Sequence, residues 1–276
     1  MVTKLRWITL RLSRMSIREI LFRIGEQFRV RYLACYPKAP SPVSLAAPSP
    51  TSDIVTHPWV RAASREIAQS CLERVEVYGF AWPTLANGEL DWFTFLSGKS
   101  TRTCSALKVP TRGGSGPSED IRIPWELNRL CWLLPVAAAA TIGDQDAEDC
   151  VISHVTSFLH SDRPGESLRW SSAMELAVQV LSLLLLDSIM FERAAWKELR
   201  PKLEWAVAHR QRWLERWPSR YSSANNHRLA ELVALVVLNE RGESSSSTAA
   251  FLKELELELR KQFLKDGFSA LSSGLG

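Results

Sequence analysis

Hydrophobic residues recur at helical spacing through most of the chain beyond Asp120. Apolar positions return every three to four residues, which is the period of an amphipathic helix. Gly, Pro and charged residues interrupt the pattern at Gly143–Asp144, Arg163–Gly165, Pro218–Ser219 and Arg241–Glu243. The pattern predicts six helices, at about 122–142, 145–161, 171–190, 192–217, 225–240 and 247–265.

Short connections between the six predicted helices favour side-by-side, antiparallel packing of neighbours. The helices therefore form three αα-hairpins, repeated at roughly fifty residues without a repeated sequence. Such spacing is typical of an α/α toroid or an α-solenoid. A plain helical bundle is the structural alternative.

The first part of the chain combines helical and irregular patterns. Residues 16–33 predict a helix with Ser16 as its N-cap, Glu19 three residues later, and one apolar face. Six prolines within 37–58 predict a linker. A second helix is predicted at about 59–75. The residues that it should turn toward a core are Val60, Ile67, Cys71 and Leu72.

Residues 76–118 predict an irregular, aromatic segment. The stretches 75–82 and 91–95 fit either short strands or aromatic loops around Asn87–Gly88. The 276 residues are enough for one substantial core with a small accessory segment. We therefore predict a basic helix and Pro-rich linker at 1–58, followed by a helical domain at 59–276.

Charge and cysteine content limit the classes of function. The net charge is +4, and the excess of Lys and Arg is concentrated in residues 1–38. That face could meet an anionic polysaccharide, nucleic acid or membrane headgroups, or could simply be solvated. The five cysteines lack CxxC spacing, so a disulfide framework or zinc site is not expected. No metal and no cofactor are predicted.

Membrane and targeting signals are weak. Arg6, Arg11 and Arg14 interrupt the apolar positions near the N-terminus, so no signal peptide is expected. The apolar stretches 130–143 and 176–190 are shorter than a typical transmembrane span, and the second contains Asp187. The sequence thus predicts a cytoplasmic chain without a transmembrane segment.

Three motifs occur in order within the helical part: Ile123–Arg129, Trp170–Ala177 and Tyr221–His227. A weaker fourth consists of Gln262 and Asp266–Gly267. Together they resemble the N-terminal domain of the heparinase II/III polysaccharide lyases, in the alginate lyase-like superfamily. The resemblance implies an all-α fold: an incomplete (α/α) toroid of antiparallel helical hairpins with a short irregular aromatic N-terminal segment.

The same resemblance implies β-elimination on uronic-acid polysaccharides. In that chemistry a hydrogen-bond donor neutralises the C5 carboxylate, which stabilises the enolate-like transition state. By resemblance, Asn226 fills this role beside His227, and both are predicted catalytic residues. Their place in the first turn of a helix also favours an anion. The structural alternative is helix capping by Asn226 and a pair between His227 and Glu231.

Further residues of the motifs are candidates for binding the polysaccharide. They are Trp125, Asn128, Arg129, Trp170, Glu175 and Tyr221. Arg129 could pair with a uronate, or Glu126 could hold it in a local pair. Trp170 could stack on a sugar, although core packing and capping account equally well for Trp170 and Glu175. Nucleic acid is not an expected partner.

The sequence departs from the family pattern in three respects. No tyrosine follows Tyr221, although the family's main catalytic tyrosine would follow the Asp-Gly motif. The family's C-terminal β-sandwich domain is not present in these 276 residues, and Gln179 stands where a basic residue is usual. We therefore expect a truncated lyase domain with weak or no activity alone.

The alternative functions are a non-catalytic module for anionic glycans and a helical scaffold for a protein partner. The last predicted helix carries apolar residues with no following helix to cover them. Self-association through an unclosed helical face is therefore a candidate property.

Overall fold

The computed structural model describes residues 15–35, 43–48, 58–102, 104, 106, 109, 117–221, 225–242 and 248–263. The chain divides into two compact units, Met1–Lys38 and Ala39–Gly276. The predicted domain boundary after residue 58 stays a prediction. Much of the Pro-rich segment lies outside the described residues.

The first unit contains helix α1, Ile17–Cys35. The Ser16 hydroxyl accepts a hydrogen bond from the backbone N–H of Glu19 at 3.1 Å. This bond satisfies one of the free N–H groups at a helix start, so the predicted N-cap is confirmed. The Glu19 carboxylate accepts a hydrogen bond from Arg23, one turn further along.

The second unit is built from helices and one small hairpin. The hairpin consists of β1, Glu76–Val77, and β2, Phe80–Ala81. The helices are α2 Pro58–Glu73, α3 Arg122–Asn128, α4 Leu133–Thr141, α5 Gln145–His160, α6 Ala173–Met190, α7 Ala194–Arg216, α8 Asn225–Arg241 and α9 Thr248–Gln262.

The helices pack as hairpins in two rows. Consecutive pairs α4–α5, α6–α7 and α8–α9 are in contact. One row runs α2, α4, α6 and α8, each packed on the next, and α5 packs on α7 in the other row. This is the predicted all-α fold, an incomplete (α/α) toroid of antiparallel helical hairpins.

One predicted helix, 122–142, is two helices in the structure. The chain breaks between α3 and α4, where buried Leu130 adopts a left-handed backbone with φ of 61°. Trp132 donates its indole N–H back to the carbonyl of Leu127 at 3.1 Å, which stabilises the turn. The residues on both sides of the break are apolar, so the spacing of hydrophobic residues looks like that of one continuous helix.

The aromatic segment after α2 is mostly irregular, as predicted. Within it, β1 pairs antiparallel with β2, and Thr84–Leu90 and Thr94–Ser100 form isolated bridges. Trp92, Phe93 and Phe95 are buried in turns rather than in a strand. The Trp92 ring packs edge-on against Phe158 of α5 at 5.3 Å between centroids. The segment therefore covers part of α5.

The predicted buried face of α2 is partly wrong. Ile67 and Leu72 are 43% and 40% exposed, whereas Ser64 and Ala68 are buried and Cys71 is half-buried. The side chain of Val60 lies outside the description. Helix α2 packs against α4, whose central residues are alanines. Close approach to an alanine surface favours small residues over Ile and Leu.

Helix α6 lies at the centre of the unit. Among the described residues, it is a helix long and apolar enough to cross a membrane by length and composition, contrary to the length argument from sequence. The helix is nevertheless largely in the core, since 61% of its residues are buried within the protein. Its Asp187 is fully buried and accepts from Trp196, Arg200 and Arg241, so α6 is tied to α7 and α8.

A second buried network connects the loop after α5 to α7. The Asp162 carboxylate accepts from Arg210 at 2.6 Å and from the Trp170 indole at 3.0 Å. The Arg169 guanidinium lies 3.9 Å from the same carboxylate. Burial opposes ionisation of Asp162, but the two arginines outweigh it and lower its pKa. One carboxylate thus balances two buried cations.

We predict that Asp162→Asn strongly destabilises the fold. The substitution leaves Arg169 and Arg210 buried without a counter-charge, which typically costs about 3–5 kcal/mol of unfolding free energy. Urea denaturation followed by circular dichroism measures this. Asp149→Asn is the matched control because Asp149 is an exposed carboxylate on α5. Equal stability of the two variants would contradict the assignment.

The same carboxylate should also make stability depend on acid pH. The pKa of Asp162 is lowered in the folded state. Its ionised carboxylate therefore contributes fully to the free energy of unfolding at pH values above its pKa in the unfolded chain. This stabilisation is lost as the pH falls through the pKa of Asp162 in the folded protein. Asp162→Asn should therefore lose less stability than the unaltered chain when both are acidified below about pH 4.

Candidate active site at the helix starts

The starts of α6 and α8 lie side by side. Helix α8 begins at Asn225, as predicted, and Asn226 is exposed in its first turn. The Asn226 amide nitrogen lies 4.0 Å from the Met174 sulfur at the start of α6. His227 is half-buried beside it. Residues 222–224, directly before this helix, lie outside the described residues.

A charged cluster involves the next residue of α6, Glu175, together with Arg129 and Glu126. Arg129 donates two hydrogen bonds to fully buried Glu175, at 2.7 and 2.9 Å, and a third to Glu126 at 2.6 Å. The bonds to Glu175 hold the pKa of Arg129 above its usual value. The local Glu126–Arg129 pair considered from sequence is therefore present. A uronate that paired with Arg129 would have to compete with two carboxylates already in contact.

Tyr78 extends this cluster to the surface, and the sequence analysis missed it. Its hydroxyl donates to Glu126 at 3.1 Å, and its side chain is exposed. Partial desolvation and the Glu126 carboxylate raise the pKa of Tyr78, so the phenol stays protonated at neutral pH. The sequence feature that could have drawn attention to Tyr78 was the Tyr-Gly pair between two short apolar stretches, which indicates a hairpin turn.

Trp125 and Tyr221 flank the helix starts. The half-buried Trp125 donates its indole N–H to the Leu168 carbonyl at 3.2 Å and lies 3.1 Å from the Ser171 hydroxyl. It therefore joins α3 to the loop that leads into α6. Tyr221 is exposed, with a left-handed backbone at φ of 57°. Their binding roles stay predictions.

Asn128 and Trp170 lie inside the framework rather than on the surface. Asn128 is fully buried, donates to the carbonyls of Trp92 and Pro124, and accepts from Arg169. Trp170 is buried against Asp162 and Trp213. These contacts account for both residues by packing and hydrogen bonding. Their predicted role in substrate binding gains no support from this position.

Two further sequence hypotheses concern neighbours of the site. Buried Gln179, which stands where the resemblance leads one to expect a basic residue, accepts from Arg210 of α7 at 3.0 Å. The proposed pair between His227 and Glu231 is wrong. Glu231 accepts from Ser219 and Arg228, and its other oxygen has no hydrogen-bond partner within the described residues.

A separate surface groove of about 820 Å³ lies beside α5. Its lining includes Ser153, Thr156 and His160 of α5 together with Arg102 and Arg163. None of the predicted site residues lines it. No group of three or more His, Cys, Asp or Glu side chains in the described part of the chain could hold a metal ion.

Comparison with known proteins identifies the fold class. No protein-family model and no curated protein matches the sequence. The fold is similar to the crystal structure of the heparan sulfate lyase HepC from Pedobacter heparinus, with a TM-score of 0.55 and 17% identity. The similarity covers 87% of this chain and 35% of that lyase, so the chain spans about a third of its length. The chain therefore has a heparinase-like, polysaccharide-lyase-like helical fold.

We predict that two asparagine substitutions affect stability very unequally. Asn128→Ala removes the acceptor of the buried Arg169 Nε–H and one donor from each of two carbonyls, so it should cost about 2–3 kcal/mol of unfolding free energy. Asn226→Ala removes an exposed amide and should change stability by less than about 0.5 kcal/mol. Thermal and urea unfolding measure both. Comparable losses would show that Asn226 is part of the framework.

Proposed function

We propose that this chain is a heparinase II/III-like polysaccharide lyase domain that binds a uronic-acid-containing polysaccharide at the starts of α6 and α8. One observation carries the proposal: Asn226 is an exposed amide in the first turn of α8, opposite Met174, within a fold similar to a heparan sulfate lyase. Because this side chain is exposed, its amide is accessible to a ligand.

The chemistry available at Asn226 is neutralisation of a carboxylate. Its amide can donate to the C5 carboxylate of a uronate, and the positive end of the α8 helix dipole favours the same negative charge. Neutralising that carboxylate makes the C5 proton more acidic and stabilises the enolate-like transition state. His227 is the adjacent candidate for proton transfer.

We propose that these 276 residues alone catalyse the β-elimination weakly or not at all. Elimination needs one group to remove the C5 proton and another to protonate the leaving oxygen. The resemblance assigns proton transfer to a tyrosine beyond Tyr221, and these 276 residues contain none there. Positioned general acids and bases typically contribute about 10²–10⁴-fold in rate. Binding should therefore be easier to detect than cleavage.

We predict binding of heparan sulfate or alginate fragments without rapid cleavage. Calorimetry measures binding, and the ultraviolet absorbance of the unsaturated uronate product measures elimination. Asn226→Ala should weaken binding by about tenfold, because a hydrogen bond to a charged group is worth about 1.5–3 kcal/mol. Any residual elimination should fall further in this variant. Robust absorbance growth that is unaffected by Asn226→Ala or His227→Ala would overturn both the inactivity and the site.

The helical interaction surface is a second candidate, favoured by the exposed side of α9. Leu252, Leu259 and Phe263 are exposed large hydrophobic residues spaced seven and four apart, on one side of the helix. Water-exposed apolar side chains in such a row favour association with another surface. Association through this side of α9 is compatible with glycan binding at the starts of α6 and α8.

We predict that this row makes the isolated chain self-associate. Light scattering should detect concentration-dependent oligomers, and a Leu252→Glu and Leu259→Glu double variant should shift the population toward monomer. Leu185→Glu is the matched control, since Leu185 is an exposed leucine on α6 rather than α9. A monodisperse monomer that binds no hydrophobic dye would refute self-association.

A further inference from the structure

The turn that carries Tyr78 is strained. Val77 of β1 pairs with Phe80 of β2, which leaves Tyr78 and Gly79 as a two-residue turn. Both residues have positive φ, 51° and 77°, as in a type I′ turn. Glycine adopts this backbone freely, but at the first position Asn, Asp or Gly is strongly favoured over an aromatic residue. Turn geometry therefore does not explain why a tyrosine stands here.

Packing does not explain Tyr78 either. Its side chain is 65% exposed, whereas the neighbouring Val77 is buried. Within the described part of the chain, its hydroxyl donates to Glu126 at 3.1 Å. An exposed ring gives little hydrophobic stabilisation to the fold. A strained backbone and an exposed aromatic side chain at one residue are typical of a functional position.

A continuous series of contacts joins Tyr78 to the candidate active site. Buried Glu175 binds Arg129 through two hydrogen bonds, Arg129 binds Glu126, and Glu126 accepts from the Tyr78 hydroxyl. Glu175 directly follows Met174, which contacts Asn226. The buried end of this series is fixed by the fold. The phenol is therefore held in place before any ligand arrives, which lowers the entropic cost of binding.

We propose that Tyr78 is the aromatic platform of a saccharide subsite adjoining Asn226. The exposed ring offers its electron-rich face to the polarised C–H groups of a pyranose, while its hydroxyl stays anchored to Glu126. The ligand is a sugar unit of the same polysaccharide whose uronate reaches Asn226, so the inference rests on the proposed function. Tyr78 binds this unit and takes no part in proton transfer.

The decisive variant is Tyr78→Asn, which separates folding from binding. Asn-Gly is the preferred type I′ pair, so this variant should raise Tm by about 2 °C. It removes the ring, so affinity for heparan sulfate or alginate hexasaccharides should fall by about tenfold. Higher stability together with weaker binding is not what a purely structural residue would give. Tyr78→Phe keeps the ring and should retain affinity within about threefold.

Calorimetry with both hexasaccharides on four proteins distinguishes the outcomes: the unaltered chain, Tyr78→Asn, Tyr78→Phe and Asn226→Ala. If the unaltered chain binds neither probe, the proposed function is wrong and the subsite falls with it. If Asn226→Ala weakens binding but Tyr78→Asn does not, the subsite is wrong and the proposed function stands. A lower Tm for Tyr78→Asn would refute the strain argument. Weaker binding at higher Tm supports the subsite.

Discussion

The fold depends on one buried carboxylate that compensates two buried arginines. Asp162, in the loop after α5, binds Arg210 of α7 and lies 3.9 Å from Arg169. Arg169 in turn donates to Asn128 at the end of α3. Buried charges are tolerated only when they are paired and hydrogen-bonded. This requirement fixes the Leu168–Trp170 turn against α3 and α7, and α6 begins immediately after that turn.

Placement of the α6 start in turn determines the candidate site. Glu175, in the first turn of α6, is buried and directs Arg129 toward Glu126, and Glu126 directs the Tyr78 hydroxyl. The positive charge of Arg129 is balanced by the carboxylates of Glu175 and Glu126. Its guanidinium is therefore already paired and is not free to bind a uronate. Recognition of a polysaccharide would then depend on amide donors, helix starts and an aromatic ring more than on free cations. Such a surface would bind with a weaker dependence on salt than a basic patch.

The likeness to a heparan sulfate lyase and the departures from the family pattern are compatible. A toroid of helical hairpins is a scaffold, and its activity depends on the side chains at the helix ends. Here the scaffold holds Asn226 in the exposed first turn of α8. The fold alone therefore fixes neither binding nor turnover, and the two are measured separately.

The sequence by itself determined most of the helices and their hairpin order, because periodicity and breakers are local properties, although the break between α3 and α4 escaped it. The motifs and their family resemblance then favoured the toroid over a plain bundle. The sequence also located Asn226 and His227 at a helix start. Only the tertiary structure decided which polar residues are framework and which are exposed: Asn128 and Trp170 are buried, and Tyr78 reaches the surface. Partners such as Asn128 and Arg169, or Tyr78 and Glu126, are 41 and 48 residues apart. Local patterns carry no information about which distant polar groups meet when the chain folds.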